Sequence, residues 1–415
     1  MRIERLGLCV MAAWLWPTAA SAMLEPYFVG AGQGFTADNN LYRVPDGQAR
    51  TRDLVSSSSV FAGFDQPLSR WKLAANASLR SSRYRNETTL DNEGYATQIK
   101  LEGATVEHLS GELDYTRSRN LLGFGTATEA AQRLRNLETA QQLVARAQLG
   151  LSAGAVSPLS ATATLSHRSL DYSAPAYASQ QNVQDVAGAG LTWQPGEVLQ
   201  LGLGLRRTHG RYPQGTQSAP GRFEAESFDR HDIDLTAHWA ASGASSLDAR
   251  LSASRQQYDA ARQRDFSGAT GALTWNWRPS AKLSLTTAFS RDTGSEASYA
   301  SLAGSPGVAV GDTGEFRRAV DVQAGYAMTA KLRATAQAQW VQRGLRNESL
   351  PAGQAPTVLQ GSDRLATLEL GVRYTLLRST AMQCELRRER RLADTPLSYP
   401  FQAKTASCEL RITLQ

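Results

Sequence analysis

The sequence predicts an all-β chain folded as one transmembrane antiparallel up-and-down β-barrel of about 18 strands (range about 16–20), with short periplasmic turns and long extracellular loops. Three observations predict it. Apolar and polar residues alternate with period two in segment after segment. Short turns alternate with long polar connections. Beyond the first residues, no apolar run approaches the roughly 18 residues that a spanning helix needs.

The N-terminal residues indicate the compartment. Arg2 and Arg5 precede an apolar run, Leu6 to Trp16, that is too short to span a bilayer, and Ala20-Ser21-Ala22 offers small residues for cleavage. Residues 1–22 are therefore expected to be a cleaved signal peptide and 23–415 a single outer-membrane barrel. Cys9 follows Leu8, where a lipid-attachment cysteine requires a small residue, so no lipid anchor is expected. A mean hydropathy of −0.36 and 41% hydrophobic residues would suit a soluble protein equally. Alternation along a strand hides lipid-facing residues inside such averages. A net charge of +6 raises nucleic acid as a partner. Export and the scattering of basic residues without a block of like charge argue against it.

The strands follow from parity. Lys331–Trp340 puts Leu332, Ala334, Ala336, Ala338 and Trp340 on even numbers, and Thr367–Leu376 repeats this with Leu368, Leu370, Val372 and Tyr374. Gln200–Arg206, Lys72–Arg80 and Asp232–Trp239 show the same pattern on odd numbers. Successive side chains point to opposite faces, so each segment has one greasy and one wet face. A soluble sandwich also alternates. Here, however, the wet positions carry Arg, Lys, Asp, Glu, Gln and Gly, and the connections differ in length at the two ends.

Turns are predicted at 66–69, 108–111, 157–160, 194–197, 242–245, 278–281, 328–330 and 377–380. Between them lie long polar stretches such as Arg211–Glu226, Arg291–Gly314 and Arg343–Asp363. That succession implies an even strand number with both chain ends on the periplasmic side. Trp193, Trp239, Trp275, Trp277 and Trp340 fall on outward positions, mostly near strand ends, where an aromatic girdle sits. Burial in a soluble core is the competing reading.

Cys384 and Cys408 lie on the last two strands with the outward parity of Leu386 and Leu410. If they face each other, 386 also meets 406 and 382 meets 410. The periplasm permits a disulfide across that hairpin; two free lipid-facing thiols are the alternative. The alternation runs on to Leu414 without the terminal aromatic usual in such barrels.

Motifs for chemistry are weak. Gly150-Leu151-Ser152-Ala153-Gly154 matches a hydrolase pattern but lies on an alternating strand, not a strand–turn–helix. His108, His167, His209, His231 and His238 show no helical metal spacing, and there is no Cys/His cluster. Gly30-Ala31-Gly32-Gln33-Gly34 is not followed by a helix, so these glycines suit a strand face that needs room and not a phosphate cradle. No catalytic residue, metal or cofactor is expected.

The inward charges are the better candidates. By parity they include Lys72, Arg80, Lys100, Arg146, Arg206, Arg250, Lys331, Arg333 and Arg373, with Glu112, Asp114, Asp234, Asp248, Asp321 and Glu369 against them. A barrel this wide leaves room for an aqueous lumen or a plug of its own loops. Charged walls would set selectivity for polar or anionic solutes. Ion pairs that only brace the wall are the competing reading.

Four short segments carry a family resemblance: Asp38-Asn39-Asn40-Leu41-Tyr42-Arg43, Leu205-Arg206-Arg207-Thr208-His209-Gly210-Arg211-Tyr212-Pro213, Arg264-Asp265-Phe266-Ser267-Gly268 and Cys384-Glu385-Leu386-Arg387-Arg388-Glu389-Arg390. In these the chain resembles the EpsL-type outer-membrane proteins of exopolysaccharide operons, within a porin-like β-barrel group. The resemblance implies passive export or assembly of an extracellular polysaccharide, with outer-membrane lipid, the polysaccharide and periplasmic export proteins as partners. Tyr172, Tyr177, Tyr212 and Tyr258 would then be candidates to stack on sugar rings. A general small-solute porin, a structural or adhesive barrel and an outer-membrane hydrolase are the rival readings.

Overall fold

In the computed structural model, period-two alternation becomes continuous strand pairing. The structure describes residues 26–105, 108–124, 134–151, 159–219, 222–259, 262–293, 314–349, 357–395 and 397–414; the predicted signal peptide lies outside them. The first six strands are β1 (Tyr27–Asp38), β2 (Asp53–Leu68), β3 (Trp71–Tyr84), β4 (Asn92–Ala104), β5 (Leu109–Leu121) and β6 (Leu137–Gly150). Then come β7 (Leu159–Tyr172), β8 (Asn182–Trp193), β9 (Leu199–Ala219), β10 (Arg222–Ser242), β11 (Ser245–Tyr258) and β12 (Phe266–Trp277). The last six are β13 (Leu283–Asp292), β14 (Gly314–Ala327), β15 (Leu332–Ser349), β16 (Thr357–Leu377), β17 (Thr380–Ala393) and β18 (Phe401–Leu414).

Each strand pairs antiparallel with its sequence neighbours, and β1 also pairs with β18, from Val29↔Leu414 to Asp38↔Thr405. The 18-stranded sheet is thereby closed and has no free edge. Closure inverts the usual burial rule. Leu165 and Leu205 are each 63% exposed on the outer face, and Leu79, Leu235, Leu251 and Leu386 stand out beside them. An apolar belt of this extent in a closed sheet is covered by lipid, since every backbone donor inside the bilayer is already paired. No helix among the described residues is long and apolar enough to cross a membrane.

Local sequence explains how the wall closes. A Cβ on Gly30 would lie 2.4 Å from both the Phe61 ring and the Ile412 carbonyl oxygen. Only glycine lets Phe61 turn inward at the β1–β2 seam, where the Arg411 guanidinium lies 5.6 Å over its ring.

The structure moves several sequence boundaries. The first turn narrows to Ser69-Arg70, and β5 already begins at Leu109, so the predicted second turn, 108–111, lies mostly inside that strand and only His108 stays outside it. The stretch Arg211–Glu226, expected as a loop, is mostly strand, because β9 and β10 are 21 residues each and pair almost to their tip. Arg343–Asp363 likewise belongs largely to β15 and β16. Outside the bilayer both faces of a strand are wet, so pairing continues there without the greasy alternation that marks it in a sequence.

Candidate functional site, the barrel lumen

Parity carries most of the predicted charges to the lumen wall. Lys72 pairs with Asp65 at 2.8 Å. Lys100 pairs with Glu112 at 3.0 Å and with Glu102 at 3.5 Å. Arg206 reaches Asp234 at 3.1 Å, and Arg250 lies between Asp234 and Asp292, 3.8 Å from each. Asp248 meets His238 Nδ1 at 2.5 Å, Asp114 accepts from Gln98 at 3.1 Å, and Asp321 accepts from Gln337 at 2.7 Å. Glu369 stands in register with Gln337 and Arg387.

Four predicted cations behave differently. Arg80, Arg146, Arg333 and Arg373 form no ion pair among the described residues, although Arg146 stands in register with Glu112. Arg333 and Arg373 are direct register partners on β15 and β16, so two guanidiniums face the same stretch of lumen. Like charges directly opposite each other destabilise a sheet. Lys331 corrects the prediction: it lies in the turn before β15, its ammonium 3.5 Å from the Leu376 carbonyl oxygen. The alternation ran unbroken through the turn residue, so parity assigned it a face it does not have.

The lumen is polar along its length but not equally open. Near the periplasmic end, inward residues such as Ser284, Gln323, Arg333 and Thr335 are exposed. Towards the outer end they are buried: Asp53, Gln184, Arg230, Gln256, Asp363 and Arg391 are at most 5% exposed. Arg230 there donates to Asp232 at 2.8 Å, Thr293 at 2.7 Å and Ser254 at 2.9 Å. Arg343 pairs with Asp363, which also accepts from Ser398 at 2.7 Å. Sequence reading missed these residues although the signal was present. Arg230 and Asp232 continue the even-numbered inward face of Asp234 on β10, beyond the stretch where apolar partners mark the strand.

The extracellular connections fold over this end. In the β1–β2 loop Asn40 is fully buried, donating to the carbonyls of Val44 at 3.3 Å and Gln402 at 2.9 Å. Arg43 (φ 51) is clamped between Asp38 and Glu389, each at 2.7 Å. Burial opposes its charge, but the two carboxylates outweigh that and hold its guanidinium above its ordinary pKa. Tyr42 donates to Glu87 at 2.7 Å and packs edge-on against Phe124 at 4.8 Å, tying three loops together. Leu41, Tyr42, Val44 and Leu90 form one buried cluster there. Tyr177, in the β7–β8 loop, has its phenol pKa pushed up by burial and then by the charge of Tyr399 from the β17–β18 loop.

The segments that carry the family resemblance meet in space. Arg43 of the first binds Glu389 of the fourth at 2.7 Å. Arg264 of the third stacks 5.4 Å over Tyr212 of the second and 4.4 Å over Tyr258. A Cβ on Gly210 would lie 2.1 Å from the Phe228 ring, so that glycine admits the same aromatic cluster. Tyr172, Tyr212 and Tyr258 are 5–7% exposed, so three of the four tyrosines expected to stack on sugars are occupied by packing, and Tyr177 is half-buried with its ring 5.8 Å from Tyr172.

On the outer face, Trp193, Trp239, Trp275 and Trp277 are exposed at the periplasmic ends of their strands. Trp71, which sequence reading passed over, joins them beside the first turn. Trp340 lies nine residues into β15, near Gln342 and away from that group. Cys384 and Cys408 are register partners joined by a disulfide, with Leu386↔Ala406 and Met382↔Leu410 on either side. Gly150 closes β6, and Ser152 of the hydrolase-like pattern lies outside the described residues. Among the described residues, no three His, Cys, Asp or Glu side chains are grouped to hold a metal.

A closed barrel with an apolar outer belt, a charged lumen, short turns at one end and long loops at the other is a porin-like transmembrane barrel of the outer-membrane kind. No family model and no curated protein matches the chain. Among solved structures it is similar to OccK1 (OpdK) of Pseudomonas aeruginosa, at 13% identity over 94% of this chain and 100% of that one, with a TM-score of 0.48. OccK2 (OpdF) of the same organism shows 13% identity over 94% and 97%, with a TM-score of 0.47. The siderophore receptor PirA of Acinetobacter baumannii shows 7% identity over 95% and 81%, with a TM-score of 0.40. Likenesses this distant assign neither family nor solute, and the barrel rests on its own strand pairing.

Proposed function

We propose that the protein is a passive porin-like conduit for small polar solutes, with a preference for anions and a mouth narrowed by its own loops. The observation that carries this reading is the facing pair Arg333 and Arg373, set without carboxylate partners on the periplasmic part of a wall whose Lys72, Lys100, Arg206 and Arg250 are paired. Uncompensated guanidiniums in a narrow aqueous lumen raise the local concentration of anions. Planar-bilayer recording under a salt gradient tests it. The wild type should show steady conductance and an anion-side reversal potential, and R333Q/R373Q should move that potential toward zero with little loss of conductance. A folded barrel that is silent, or whose selectivity ignores the double substitution, overturns the reading.

Export of an extracellular polysaccharide with periplasmic partners is the second reading, supported by the family resemblance. One structural feature favours it: the lumen is open towards the periplasm and packed towards the outside, the resting polarity that a gated exporter needs. Anionic oligosaccharide added on the periplasmic side should then block the current in discrete events, whereas a small-solute conduit ignores it. The burial of Tyr172, Tyr212 and Tyr258 weighs against a sugar path lined by those rings.

A further inference from the structure

The outer wall carries a second site, on the lipid side. Near the extracellular end a concave groove runs across β16, β17, β18, β1 and β2. Its floor includes Leu54, Leu368, Leu370 and Leu386, all exposed to lipid. Its rim includes Arg52, Arg85, Arg388 and Lys404, while the carboxylates of Asp38 and Asp53, which also line it, are engaged by Arg43 and by the backbone N–H groups of Asn86 and Glu87. Arg388 and Lys404 are direct register partners on adjacent strands and share the outward face. Arg390 stands two residues above on the same face, and Arg364 follows on β16.

None of these six cations has a carboxylate partner among the described residues. Elsewhere beyond the belt outward charges are paired, as Arg83 is with Glu93 at 3.6 Å, Arg207 with Asp229 at 3.0 Å and His167 with Asp185 at 2.7 Å, or stand singly like Arg119, Arg211 and Arg255; here two cations face each other in register. Two like charges placed opposite each other on a strand pair weaken the sheet unless something else supplies the negative charge. Long basic side chains also extend from apolar surface to the head-group level, where phosphate oxygens accept several charge-assisted hydrogen bonds.

We propose that this groove binds one molecule of a diphosphorylated, multiply acylated glycolipid of the outer leaflet. The phosphates meet the Arg388–Lys404 rim, and acyl chains cover the leucine floor. A free phosphate would need no such floor, and a zwitterionic lipid would leave the cations uncompensated. The inference depends on membrane insertion and not on what the lumen passes.

Native mass spectrometry of the full-length barrel in detergent tests it. The probes are purified diphosphoryl lipid A, its monophosphoryl form, phosphatidylglycerol and inorganic phosphate. A one-to-one adduct with diphosphoryl lipid A is expected, about tenfold weaker for the monophosphoryl form and for R388Q/K404Q, and unchanged for R83Q. Heat-shifted gel mobility reports folding of each variant. Should R388Q/K404Q not fold, R364Q/R390Q gives the same reading at neighbouring cations. Equal binding by the folded variant, equal binding of phosphatidylglycerol, or an adduct with inorganic phosphate as strong as with the lipid overturns the proposal.

Discussion

At the residue scale the informative side chain is Arg230. It is 1% exposed, its partner Asp232 is buried beside it, and Ser254 and Thr293 take its remaining donors. A buried ion pair offsets its desolvation only while every lone pair and proton is engaged, and removing Arg230 leaves Asp232 charged with Arg206, at 3.3 Å, to compensate it in part. Because Arg206 stays beside Asp232, Arg230→Met should lower barrel stability by no more than about 3 kcal/mol, read from urea unfolding in liposomes. Arg230→Met/Asp232→Leu should recover most of that loss, because both charges leave together. A double variant as unstable as the single one would show that packing, and not the partly compensated carboxylate, sets the cost. The face of Arg230 was legible by parity; its burial was not. Nothing in the neighbouring residues says that Thr293, 63 positions along the chain, will close over it.

At the element scale, hairpins were the most legible unit. The parity of Leu386 and Leu410 implied that Cys384 and Cys408 share a face, and the register of β17 with β18 places them opposite each other. Strand tips were less legible, because β9, β10 and β16 run to 21 residues each through polar sequence that reads as loop. The final hairpin also lends itself to measurement. Its disulfide closes a loop with a sequence separation of 24. Loop-closure entropy puts its worth at about 3–4 kcal/mol, an upper bound here because β18 is also held by β1. C384S/C408S should fold to the same heat-shifted barrel, with its urea midpoint lowered and its slope unchanged. Identical midpoints with and without reductant in the wild type would show that the bridge contributes nothing to the inserted state.

At the scale of the whole molecule, the wall and the mouth follow different physics. The wall is local: each strand meets its sequence neighbour, so an alternating sequence suffices to read it. The mouth is assembled from contacts such as Arg43–Glu389, separated by 346 residues, and Tyr42–Phe124, which no periodicity reports. The state of the lumen therefore turns on a few loop residues. Tyr42 and Arg43 hold the β1–β2 loop against three partners: Glu87, Phe124 and Glu389. Replacing both (Y42S/R43Q) removes the hydroxyl-to-Glu87 and ring-to-Phe124 contacts together with the charge between Asp38 and Glu389, while leaving the strand pairing intact. If that loop limits flow, single-channel conductance should rise severalfold in Y42S/R43Q while the anion preference set by Arg333 and Arg373 persists, because those two lie towards the opposite end. Conductance unchanged in a variant with wild-type unfolding would place the constriction in the Arg230 and Asp363 clusters of the wall itself. Widening the lumen would then require changing the wall and not moving a loop.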